Sequence, residues 1–165
     1  MASRTIINRT LAVLTDVRIA RIDSNGIYLR KAGIIKSSGR GRSAEVMGAG
    51  DAANIIIALL GSDTPKDAPV AVKKYGPLIN ETKGSFFDVL SRLLTDGADE
   101  VDYIAINRSY PSVEIKFIDG HSQFFEDDSP SDYDPLNFAF EVEAKISGKV
   151  ITLICNLIWA ENNCG

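Results

Sequence analysis

The apolar residues of this chain change their spacing at Gly97, and that change limits the folds open to it. Before it they recur at the three-to-four-residue interval of helices; after it they alternate as in strands. Helices gathered ahead of strands point to an α+β arrangement and not to the alternating units of a parallel sheet. Thr5 to Val17 places Ile7, Leu11 and Leu14 on one helical face, with Ile6, Val13 and Val17 beside it. Asp51 to Gly61 (DAANIIIALLG) is apolar nearly all round, with an acid in its first turn and glycine at its end, which predicts a buried central helix. Lys66 to Tyr75 reads as another short helix, stopped by Gly76-Pro77. Ser85-Phe-Phe-Asp88 has the spacing of a capping box. Behind it Phe86, Val89, Leu90, Leu93 and Leu94 form one apolar stripe that ends at Gly97.

Beyond that glycine, Val101–Ile106 and Val113–Ile118 alternate, and Asp119-Gly120 predicts a two-residue hairpin turn into His121–Phe125. Phe138, Phe140, Val142, Ala144 and Ile146 alternate with Glu141, Glu143 and Lys145, which predicts a half-buried strand with one wet face. Ser147 to Ala160 carries both signals. Its β-branched content suits a strand, whereas Val150, Leu153, Ile154, Leu157 and Ile158 suit an amphipathic helix capped by Ser147. Fourteen residues is long for a strand, so helix is the better reading. The expectation is a basic helical part over residues 1–80, with a possible helix-turn-helix. An acidic α+β part over residues 81–165 follows, its small antiparallel sheet packed by helices, and the two form one continuous globular unit.

Arg18 to Ile35 supports two readings. Asn25-Gly26 between alternating residues is a strong short-range hairpin signal. Ser24 or Asn25 can equally cap a short helix Ile27–Ala32 that ends at Gly33, making residues 11–33 a helix, a turn and a helix.

At 165 residues, 45% hydrophobic and 24% charged, the chain has the length and composition of an ordinary globular domain, so broad disorder is not expected. Met1 to Ala20 interleaves Arg4, Arg9, Asp16 and Arg18 with its apolar residues, which argues against a secretory signal. The longest apolar runs, Ile55–Leu60 and Val150–Cys155, fall far short of a membrane span. A cytoplasmic protein with no membrane partner is the expectation. Two cysteines, Cys155 in an apolar run and Cys164 near the end, do not make a disulfide framework.

The net charge of −4 hides an asymmetry. Residues 1–80 carry 12 Lys+Arg against 6 Asp+Glu, a net of +6; residues 81–165 carry 6 against 16, a net of −10. Such a split hints at a polyanionic partner for the basic half. Arg30, Lys31, Lys36, Arg40 and Arg42 put five cations within thirteen positions with no acid among them. Gly39-Arg40-Gly41-Arg42 suits phosphate oxygens: its glycines allow close backbone approach and its arginines bind bidentately. It lacks the Gly-Lys-Ser/Thr ending of a nucleotide-binding loop. Clustered cations beside a possible helix-turn-helix are the footprint of a nucleic-acid reader, here of duplex DNA.

No catalytic constellation stands out. The one histidine, His121, follows a tight turn, and its neighbours Asp119 and Ser122 do not by adjacency make a triad. Two cysteines and one histidine at unrelated spacings do not supply a zinc site, and the acidic run Glu126–Asp134 lacks the ligand spacing and turn glycine of a calcium loop. Neither an enzyme, a cofactor nor a metal is expected. Glu126, Asp127, Asp128, Asp132 and Asp134 instead form a solvated acidic loop able to meet a basic protein surface.

Leu29-Arg-Lys-Ala-Gly-Ile-Ile, then Gly39-Arg-Gly-Arg, then Asp51-Ala-Ala-Asn-Ile-Ile-Ile-Ala-Leu-Leu resembles an arrangement in short, mostly uncharacterised proteins of alphaproteobacteria and their prophages. Ser109-Tyr-Pro and Ile146-Ser-Gly are similar to that group as well. The resemblance implies a helix-turn-helix or winged-helix N-terminal part and a role in regulating mobile elements. It favours helix over hairpin at residues 18–35 and a final helix after Ile146. Two functions compete. One is a DNA-binding regulator of phage or mobile-element type, contacting DNA through Arg30, Lys31, Lys36, Arg40 and Arg42. The other is a phage-encoded inhibitor of a host defence system, anti-CRISPR-like, that binds a host protein through its acidic surface. A homodimer is open under either.

Overall fold

Ile7 and Leu11 turn the first apolar stripe inward on helix α1, Arg4–Thr15, and Leu14 at its end stays partly exposed. The computed structural model describes residues 4–36, 47–127 and 142–162. Asp16, at φ 53°, takes the left-handed backbone that Asp tolerates better than most residues, and it ends α1. Helix α2, Ile19–Lys31, then runs unbroken through Ser24-Asn25-Gly26.

That continuity bears out the helix reading of the segment over the hairpin, and moves its cap and turn. There is no hairpin at Asn25-Gly26, and neither Ser24 nor Asn25 caps a helix, because the turn lies earlier, at Asp16–Arg18. Ile22, Asn25, Gly26 and Leu29 share one helical face and are buried together. Packing of that face outweighs the cost of about 1 kcal/mol for a mid-helix glycine. A Cβ at Gly26 would meet only the far end of the Arg4 side chain. The predicted stop at Gly33 does occur: at φ 70° it lets its N–H reach the Arg30 carbonyl (2.9 Å) while Ile34 N–H reaches Leu29 (3.0 Å).

Asn25 is fully buried, and neither its amide nitrogen nor its oxygen has a hydrogen-bond partner. Burying such a group costs about 1–3 kcal/mol. Asn25→Ala is therefore expected to raise Tm by a few degrees, while Ile22→Ala on the same face lowers it; paired thermal melts check the opposite signs. A fall for Asn25→Ala would mean that the amide is worth more than its desolvation.

Helix α3, Ala49–Gly61, is the central post, with every residue from Ala52 to Leu60 buried. Two arginines attend its negative end: Arg108 donates through Nε to the Leu60 carbonyl (2.6 Å) and Arg21 through Nη2 to the Ser62 carbonyl (2.7 Å). A 3-10 turn, Pro65–Asp67, leads into α4, Ala68–Tyr75. Helix α5, Phe86–Asp96, starts at the predicted cap, where the Ser85 hydroxyl accepts from the Asp88 N–H (3.1 Å) and donates to the Asp88 carboxylate (2.6 Å).

The sheet has strands β1 Val101–Asn107, β2 Ser112–Phe117, β3 Ser122–Phe125 and β4 Glu143–Ser147, antiparallel in the order β3-β2-β1-β4. Ile104 stands between Ile115 and Ile146, and Ile106 between Val113 and Ala144, so these side chains line the face turned to the helices. Tyr103, Glu114 and Lys145 occupy the other face: the Tyr103 hydroxyl donates to Glu114 (3.1 Å) and Lys145 Nζ lies 4.6 Å from the Tyr103 ring centre.

Three details differ from expectation. Gly120 N–H bonds the Phe117 carbonyl and Phe117 N–H bonds the His121 carbonyl, so the β2–β3 loop holds three residues, Ile118–Gly120, with Gly120 at φ 95°. Ile118 thus leaves the strand. Phe138 and Phe140 lie outside the described residues, and β4 begins only at Glu143. On α6, Gly148–Asn162, the buried stripe is Val150, Ile151, Ile154, Cys155 and Ile158, while Leu153 faces solvent.

Helices and sheet share one apolar cluster reaching from Ile7 to Ile158. They are also joined by backbone: Ile79 exchanges hydrogen bonds with Glu126 in both directions (3.1 and 2.9 Å) and is bridged to Ser85. No helix among the described residues is long and apolar enough to cross a membrane.

Candidate functional site

The carbonyl end of a helix is electronegative, so it favours cations, and α2 ends in Arg30 and Lys31. Lys31 is exposed with its ammonium 5.5 Å from the centre of the Tyr28 ring. Arg30 is half-buried, and its Nη1 is enclosed without a hydrogen-bond partner. Lys36 is exposed just past the Gly33 turn, beside Arg4, Met47 and Asp51. Three of the five predicted cations therefore gather at the end of α2 and just beyond it. Arg40 and Arg42 lie outside the described residues.

Elsewhere α2 is not a basic face. Its other exposed positions are Ile19, Ala20, Asp23 and Ile27, and Asp23 accepts from the Asn8 amide (2.8 Å). Arg21, counted among the front-half cations, is turned inward to Ser62. Such an arrangement suits phosphate contact at the helix end better than base reading along the helix.

Of the predicted acidic residues, Glu126 and Asp127 are exposed, and Asp128, Asp132 and Asp134 lie outside the described residues. Glu126 and Asp127 share a hollow with Lys73 and Lys74, so their charge is partly answered from within. A second acidic stretch, from the end of α5 to the start of β1, differs. Asp96, Asp99, Glu100 and Asp102 are all exposed, and none makes an ion pair or side-chain hydrogen bond among the described residues.

His121 sits on the surface with its ring stacked on Phe117 (4.2 Å between centres, 8° apart) and its Nδ1 2.5 Å from Asp119 Oδ1. The His121 backbone N–H, then its ring, hold the Asp119 carboxyl below the usual carboxylate range. Ser122 Oγ donates to Glu114 instead (2.7 Å), so no nucleophile joins the pair. Cys155 is buried and its thiol is pushed up, by burial first and then by Asp99 and Asp96. Among the described residues no three His, Cys, Asp or Glu side chains are placed to hold a metal ion.

Set against known protein families, characterised proteins and solved structures, the chain matches none.

Proposed function

We propose that this is a non-enzymatic DNA-binding protein, a regulator of phage or mobile-element type. It grips phosphates through the basic end of α2 and the Gly39–Arg42 segment. The supporting observation is the unbroken course of α2, which ends in Arg30 and Lys31 and leads through Lys36 towards Arg40 and Arg42. Affinity on this reading is mostly electrostatic and falls steeply with salt. The protein acts in the cytoplasm, and pairing into a homodimer would double the phosphate contacts.

Fluorescence anisotropy on a labelled duplex across a salt series tests it. Replacing Lys31, Lys36, Arg40 and Arg42 together with alanine is expected to weaken binding. It should also flatten the log–log salt slope by roughly 0.9 for each phosphate no longer neutralised. No binding at low salt, or an unchanged slope in the variant, would sink the reading.

A second reading, a phage-encoded inhibitor that binds a host defence protein, is favoured by the unpaired carboxylates from the end of α5 to the start of β1. Such a surface meets a basic partner and repels nucleic acid.

A further inference from the structure

Hairpin tips normally carry polar residues, yet Ile118 projects from the β2–β3 tip with 69% of its surface exposed. It lies on a groove of about 460 Å³ that runs between this tip, the α5–β1 connection and the first turns of α6. Leu153, 45% exposed, faces the same groove, and Val101 lies between them. Asp99 and Asp102 stand along it, with Asp96 and Glu100 exposed on the same connection. Lys149 is the one cation on its wall and makes no side-chain ion pair with them. The lining carries two carboxylates against one ammonium, a formal charge of −2 + 1 = −1 around an apolar floor, with the Asp96 and Glu100 carboxylates exposed nearby.

The walls are held in place before any partner arrives. Ile118 N–H donates to the Glu100 carbonyl (2.9 Å), tying the hairpin tip to the acidic connection. Gly148 brings the start of α6 against the Val101 carbonyl, closer than any other residue could. A groove fixed at both ends needs little ordering on binding.

We propose that this groove docks a short Lys/Arg-rich segment of another protein that carries one large apolar side chain. The apolar group would lie on Ile118 and Leu153, and the flanking cations would pair with Asp99, Asp102 and their neighbours. Unpaired carboxylates beside an exposed aliphatic floor supply the two halves of that recognition. The same carboxylates repel phosphate, which sets this surface apart from the basic end of α2. The proposal names the partner chemistry for the protein-binding reading and is independent of the DNA reading.

The test is an NMR titration of the isotope-labelled full chain with three peptides: a basic peptide with a central tryptophan, the same peptide with alanine there, and an acidic peptide with the tryptophan. The tryptophan-bearing basic peptide is expected to shift the amides of Val101, Ile118, Lys149 and Leu153 in a saturable manner, and the other two to fail. Ile118→Ser, and separately Asp99→Asn with Asp102→Asn, should each weaken that binding about ten-fold with the rest of the spectrum unchanged. The carboxamide pair should also lessen its salt dependence. Shifts elsewhere, no shift at millimolar peptide, or equal binding of the alanine peptide would overturn the proposal. So would groove shifts that follow protein concentration alone, which would assign the groove to a second copy. Duplex DNA shifting the groove amides would overturn it as well, whereas DNA shifting only the end of α2 supports the separation of the two surfaces.

Discussion

Truncating Phe86 to alanine is expected to lower the stability of the fold by about 3–5 kcal/mol. Phe86 is fully buried at the start of α5, and its ring meets that of Phe125 on β3, 5.4 Å between centres and tilted by 57°. The pair joins α5 to the strand at one edge of the sheet. The substitution removes a large buried side chain and an aromatic pairing together. In a chain of this length the fall in Tm should be roughly 10 °C, read by calorimetry or circular dichroism. A decrease under about 1 kcal/mol would show that the cavity collapses.

Gly148→Ala is the second large effect. The added Cβ would fall on the Val101 carbonyl oxygen, 2.5 Å from its carbon and 3.2 Å from the Asp102 carbonyl oxygen. These are backbone atoms at the start of β1, where Val101 pairs with Phe117 of β2, so they cannot swing away as a side chain would. Either α6 lifts from the sheet or β1 bends, at about 3 kcal/mol. Gly48→Ala, with open space around the new methyl, is the control; at the N-cap of α3 it should cost no more than about 1 kcal/mol. Urea denaturation of the two variants checks the contrast. If Gly148→Ala is as stable as Gly48→Ala, the close approach between α6 and β1 does not exist in solution.

The elements whose local chemistry and burial agree are legible in the sequence. Ser85 and Asp88 announce α5, Ala52 to Leu60 announce a helix buried on all sides, and Ile104 and Ile106 alternate because one face of the sheet is covered. Misreadings arise where the two disagree. Asn25-Gly26 is turn chemistry, but Ile22 and Leu29 on the same face lock it into a helix. Leu153 reads as core because it keeps helical spacing with Val150 and Leu157, yet the stripe that packs lies one step round, through Ile151 and Cys155.

The candidate sites are only half visible. Clustered cations and acids can be counted from the sequence, but the inward turn of Arg21, the enclosure of Arg30 and the hollow that Lys73 and Lys74 share with Glu126 and Asp127 depend on tertiary packing. Ile118 stands next to Asp119-Gly120, so a two-residue turn leaves it in the strand, whereas the three-residue loop that forms puts it at the tip.

The exchange of hydrogen bonds between Ile79 and Glu126 bears on how this chain can be reused. On the proposed DNA-binding reading, the basic stretch over residues 1–80 would invite grafting onto other proteins as a tag. Cut there, it would lose the α5 and α6 surfaces against which α3 and α1 pack and would leave Ile79 without its neighbours. The fragment would bring sticky apolar faces along with its charge. A gene recombined at that point would meet the same obstacle, and its product would carry the same uncovered faces.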